Sequence, residues 1–132
     1  MKQLLLLLLI PIFSFGQVVN TFPWIHDFEN FIPLEQETID DGDWYLMQGP
    51  TGSINTGPAG DHTTGNGIYF YIESSNPNFP NKEFISYTPT FDVSNTPGKV
   101  LSFWYHMYGA SMGDLEIGIL TNGTYIPIDT IS

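Results

Sequence analysis

After residue 16, no stretch of this chain keeps a 3.6-residue apolar period without meeting a proline or a glycine, and this constrains the fold more than any other feature. Proline removes a backbone donor and glycine costs backbone entropy, so a helix cannot grow through such punctuation. What recurs instead is the two-residue period of a strand, whose successive side chains point to opposite faces. Ile68, Phe70 and Ile72 alternate with Tyr69, Tyr71 and Glu73. Leu101, Phe103, Tyr105 and Met107 share one face of the next such run, with Ser102, Trp104, His106 and Tyr108 on the other. Leu115, Ile117 and Ile119 then alternate with Asp114, Glu116 and Gly118. Phe84 to Phe91 is also β-rich, but Pro89 interrupts it and marks an edge or a bend.

The turns between these runs are equally legible. Asn122-Gly123 separates Ile117–Leu120 from Tyr125–Ile128, and Asn-Gly between apolar runs is the strongest short hairpin signal. Gly109 to Gly113 is expected to join the two preceding strands in the same way. Short strands at this spacing predict an all-β domain, an antiparallel β-sandwich of jelly-roll type. With bulky groups on both faces, Leu101–Tyr108 is expected to be an inner strand covered on both sides, and His106 a hydrogen-bonded interior or groove residue. The acids Asp27 and Glu29 are placed in the first strand.

The N-terminus is set apart from this pattern. Lys2, an apolar run from Leu4 to Phe13 and the small residues Ser14 and Gly16 follow the order of a secretory signal peptide, and the run is short for a membrane span. Residues 1–16 are therefore expected to be removed and residues 17–132 to form one exported domain, secreted or held at the cell surface. Loss of Lys2 leaves Lys82 and Lys99 against fourteen acids. Nucleic acid and anionic lipid are poor partners for that field, because binding them needs Lys and Arg to displace counterions; cations suit it better. The absence of cysteine excludes disulfide staples, thiolate metal sites and cysteine nucleophiles, so the fold rests on its core, or on its core plus a metal.

Catalytic patterns are absent from the residue spacing. There is no G-x-S-x-G elbow, phosphate loop or dinucleotide fingerprint. His26, His62 and His106 lack metal-ligand spacing, so zinc has no support. Asp114 and Glu116 put two carboxylates on one strand face, as jelly-roll glycosidases do, yet two such acids are more often a solvated face. The acidic loops are more suggestive. Asp40, Asp41 and Asp43 precede Trp44, Asp27 and Glu29 come earlier, and Asp61 lies in the glycine-rich stretch from Asn55 to Thr63. Hard oxygen donors from several loops suit Ca²⁺, although the run 40–43 lacks the glycine position and terminal Glu of an EF-hand. Surface solubility is the competing reading of these acids.

Taken in order, Phe28-Glu29, Asp43-Trp44, Gly57-Pro58-x-x-Asp61-His62-Thr63 with Gly67-Ile68-Tyr69, and Phe103-Trp104-Tyr105-His106-Met107-Tyr108-Gly109 with Met112-Gly113-Asp114-Leu115 resemble successive motifs of the MAM domain. That domain is an extracellular jelly-roll sandwich of meprins, neuropilins and receptor tyrosine phosphatases, and the resemblance runs from Phe22 to about Ile128. It implies a non-catalytic adhesion or protein-interaction module, membrane-associated or secreted, with a protein or glycan ligand at the cell surface and scope for homophilic self-association. It also implies a structural calcium ion near the acids, for which Glu29 and Asp61 are the first candidates and Asp43 the next. Two departures stand out. The usual cysteines are replaced near Ile25 or His26 and at Val100, and no counterpart of the family's acidic closing strand follows Ile128, so a C-terminally incomplete module from a longer multidomain precursor is expected. A carbohydrate-binding or carbohydrate-active jelly roll is the alternative; aromatics aligned on an exposed face would favour it.

Overall fold

The computed structural model describes residues 18–132; the expected signal peptide lies outside them. Among the described residues there is no helix, and the fold class is all-β, consistent with a jelly-roll sandwich. The strands in chain order are β1 (Val18–Val19), β2 (Glu35–Gln36), β3 (Tyr45–Gln48), β4 (Ile68–Tyr71), β5 (Ser86–Tyr87), β6 (Thr90–Phe91), β7 (Leu115–Thr121) and β8 (Thr124–Ile131). They form four two-stranded ladders: β2 with β5, β3 with β4 and β7 with β8 run antiparallel, while the short β1 and β6 run parallel. Pro89 falls between β5 and β6, where the missing donor ends one ladder before the next begins.

The centre of the molecule is the β3–β4 ladder, in which Leu46 faces Phe70 and Gln48 faces Ile68. Ile68, at 4% exposure, is the buried large apolar residue among the described residues. Around it the packing is aromatic. Phe28 and Trp44 each stack on Phe70 with centroids 5.3 Å apart. The row continues outward through His26 against Phe28 at 4.6 Å, Trp24 against His26 at 5.4 Å and Phe91 against Trp24 at 5.2 Å. Offset and edge-on contacts at these distances match the ring quadrupole, and each adds about 0.5–1.5 kcal/mol beyond area burial. Tyr45, Tyr69 and Tyr71 cluster on the opposite face of the same ladder.

The β7–β8 hairpin closes as its sequence predicts. Asn122 and Gly123 have φ of 49° and 73°, the left-handed pair of a type I′ turn. A bulge between Ile117 and Gly118 shifts the register, so Leu115, Ile117, Ile119, Ile126 and Ile131 share one face. Among the described residues, the hairpin contacts no other strand.

Four sequence expectations are corrected. Leu101–Tyr108 is not an inner strand: it belongs to no ladder, and Leu101, Trp104 and Tyr108 are 67%, 74% and 68% exposed. Period-two alternation fixes which side chains share a face but says nothing about whether another strand lies alongside, and here none does. His106 is accordingly exposed rather than interior, and Gly109–Gly113 does not close a hairpin. Glu29 lies in a turn, with Asp27 just before it, and neither is in a strand: Phe28 and Phe31 take φ of 63° and 56°, and Phe31 N donates to Phe28 O at 2.9 Å.

Candidate functional site

The site grows from the glycine-rich loop that leads into β4. Asp61 acts as its hub. Its Oδ2 accepts from the amides of Thr63 and Thr64, both at 2.8 Å, and its Oδ1 accepts from the Thr64 hydroxyl at 2.7 Å and from the Gly67 amide. The amide and hydroxyl of Thr64, followed by the amides of Gly67 and Thr63, hold this carboxyl well below the usual carboxylate range. One side chain thus replaces the backbone ladder that a loop of this shape cannot make for itself.

Glu29 arrives from the opposite side. The turn at Phe28 swings it over the start of β4, where its Oε1 accepts from the Ile68 amide at 2.9 Å. Glu29 and Asp61 therefore bind successive amides, those of Ile68 and Gly67. A Cβ added at residue 67 would collide with Glu29 Oε1 and lie 3.0 Å from Asp61 Oδ1, so the absence of a side chain there lets the two carboxylates approach. Asp43 is exposed. Of the expected cation residues, the fold brings Glu29 and Asp61 together at Gly67. Among the described residues, no group of three or more His, Cys, Asp or Glu is arranged to hold a metal ion.

The remaining acids turn inward on their own chain. Asp40 Oδ2 accepts from the Ile85 amide, while Asp41 accepts from the Glu83 amide at 2.8 Å and pairs with Lys82 at 2.6 Å. Lys82, together with the Glu83 amide, pulls the Asp41 carboxyl down. Gln36 Oε1 accepts from Trp44 N at 3.1 Å, and Trp44 Nε1 donates to Phe84 O at 2.9 Å. These contacts fasten 82–85 to 36–44 beside the short β2–β5 ladder. Glu73 gathers the Ser75 amide at 3.1 Å, the Tyr71 hydroxyl and the Ser53 hydroxyl at 3.0 Å. Ser75 first, and then Tyr71 and Ser53, lower its pKa to about 2. The sequence reading passed over Gln36 and Glu73. Asp40-Asp41-Gly42 carried a recognisable turn signal; Glu73 takes Tyr71 and Ser75 from its own neighbourhood and Ser53 from another segment.

The histidines occupy separate places: Nε2 of His26 lies 3.0 Å from Ile32 O, and His62 stacks on Trp104 at 3.7 Å with the rings 9° from parallel. The neighbouring Glu116 carboxylate raises the Tyr125 phenol above its ordinary pKa.

With the loop hub, the turn-borne Glu29 and the aromatic row in place, the profile of the MAM domain (meprin/A5/mu) matches residues 27–129. The chain belongs to the MAM domain family. It is similar to thyroid hormone-induced protein B of Xenopus laevis, at 40% identity over 72% of this chain and 14% of that protein. It is 42% identical to mouse MAM domain-containing protein 2 over 62% of this chain and 12% of the relative. A third relative, MAM domain-containing glycosylphosphatidylinositol anchor protein 1 of Gallus gallus, is 33% identical over 67% of this chain and 10% of its own length. The chain thus spans about one seventh or less of these curated relatives. No solved structure gives a significant match.

Proposed function

We propose that this MAM domain is a non-catalytic interaction module, exported by its leader and working at the cell surface or in the secreted space, where it engages a protein ligand; the exposed Trp104, Tyr105 and Tyr108 are the observation that favours the carbohydrate alternative. The family match over residues 27–129 carries the reading. A relative whose name includes a glycosylphosphatidylinositol anchor supports the location. The electrostatics agree with it. A catalytic acid at neutral pH needs a raised pKa, whereas Asp61, Glu73 and Asp41 are lowered and their oxygens are taken up by the chain's own donors. Beads coated with the exported chain should bind cells or a soluble surface protein. Binding that free oligosaccharides abolish, or turnover of a glycoside, would replace this reading with the carbohydrate one.

A structural calcium ion is part of the proposal. Glu29 and Asp61 bring two carboxylates together beside Gly67, and the oxygen positions that the chain's own donors leave open would hold the ion. The ion's charge would offset the repulsion between neighbouring carboxylates.

A further inference from the structure

The β3–β4 ladder has two unlike faces. Register sets Tyr45 opposite Tyr71 and Met47 opposite Tyr69, so these four side chains share the face turned away from Phe70. Tyr45 is 44% exposed, while Tyr69 and Tyr71 are half-buried. The rings do not stack: Tyr71 meets Tyr45 at 5.6 Å and 72°, and Tyr69 at 6.2 Å and 79°. Two hydroxyls are already taken, Tyr69 donating to the Gly49 carbonyl at 2.7 Å and Tyr71 to the Glu73 carboxylate, and this pins the rings. What the face still offers is the negative π-faces of near-perpendicular rings with a carboxylate beside them. Lys82 pairs with Asp41, and Lys99 Nζ donates to Thr96 O at 2.8 Å, so both lysines among the described residues are engaged elsewhere.

We propose that the face of Tyr45, Tyr69 and Tyr71 receives a basic segment of a partner protein, with an arginine side chain against the rings and its charge toward Glu73. The inference rests on the interaction-module reading and names its surface and the chemistry of its partner. Charge complementarity selects the occupant. A chain of net charge −11 draws basic segments toward it, and this face has no cation of its own to displace. A guanidinium is planar and weakly hydrated, so it can lie on a phenol ring and pair with a carboxylate at once. Calcium, by contrast, needs several oxygen ligands, which ring faces do not supply. A sugar ring needs a flat open platform, and half-buried rings set 72° and 79° apart do not make one.

Calorimetry on the exported chain tests this with an octapeptide alternating Arg and Ser, the same peptide with Gln for Arg, and maltohexaose. The Arg peptide should bind, and bind less tightly as salt rises from about 0.05 to 0.5 M, because salt screens the field. The Gln peptide and the sugar should not bind. Tyr45→Leu removes the exposed ring but keeps an apolar strand residue, and should weaken the Arg peptide about 3- to 30-fold. Tyr45→Phe keeps the π-face and should stay within about twofold of the wild type. Both variants leave every charge in place, so a difference between them reports the ring and not the field. An Arg peptide that does not bind, a Gln peptide or sugar that binds equally well, an unweakened Tyr45→Leu, or a Tyr45→Phe as weak as Tyr45→Leu would each overturn the proposal. Coated beads that still bind cells in any of those cases would leave the interaction-module reading intact.

Discussion

Gly67 is where the residue scale decides most. Two carboxylates and the first amides of β4 converge on a position that tolerates no side chain. Gly67→Ala should destabilise by about 1–3 kcal/mol, the usual result of overpacking, read from the urea midpoint. An unchanged midpoint would mean that Glu29 swings clear at no cost. Glu73 makes a pH prediction. Its folded pKa of about 2 lies below its ordinary 4.5, so the unfolded chain binds more protons in that interval. The stabilisation is complete above pH 4.5 and is lost as pH falls toward 2. Glu73→Gln should flatten the acid limb of the stability curve over that window, and an unaltered limb would assign acid sensitivity to other carboxylates such as Asp61.

Among the elements, the β7–β8 hairpin is the most self-contained, since among the described residues it touches no other strand. Its stability is set by its turn, its cross-strand pairs and little else. Gly123→Ala forces a side chain into the left-handed region at φ 73°, at a cost of about 1–2 kcal/mol. Amide exchange within β7–β8 should then accelerate by about 5- to 30-fold while amides of β3–β4 keep their protection. Equal acceleration in both ladders would show that hairpin and centre open as one unit.

At the scale of the whole molecule, fourteen acids against three basic residues leave a field that attracts cations, and Glu29 beside Asp61 concentrates it at the entrance to β4. Calcium should raise the thermal midpoint of the exported chain by several degrees relative to chelator, and Asp61→Asn should remove most of that difference. Superimposable melts would take the ion out of the account and leave the pair as a purely hydrogen-bonded staple.

The all-β class, the Asn122-Gly123 turn, the break at Pro89 and the meeting of Glu29 with Asp61 were all legible in the sequence, the last through the family resemblance. Periodicity, turn chemistry and proline's missing donor act over a few residues, so a linear reading can see them. The surroundings of Leu101–Tyr108 were not legible, because alternation sorts side chains by face and leaves the neighbour on either edge unspecified. The Ser53 contact of Glu73 and the clamp of Asp40 and Asp41 on residues 83–85 were hidden for the same reason. Each joins residues far apart in the chain, and only folding brings a carboxylate to an amide 39 or more positions away, as it brings Glu29 to Ile68.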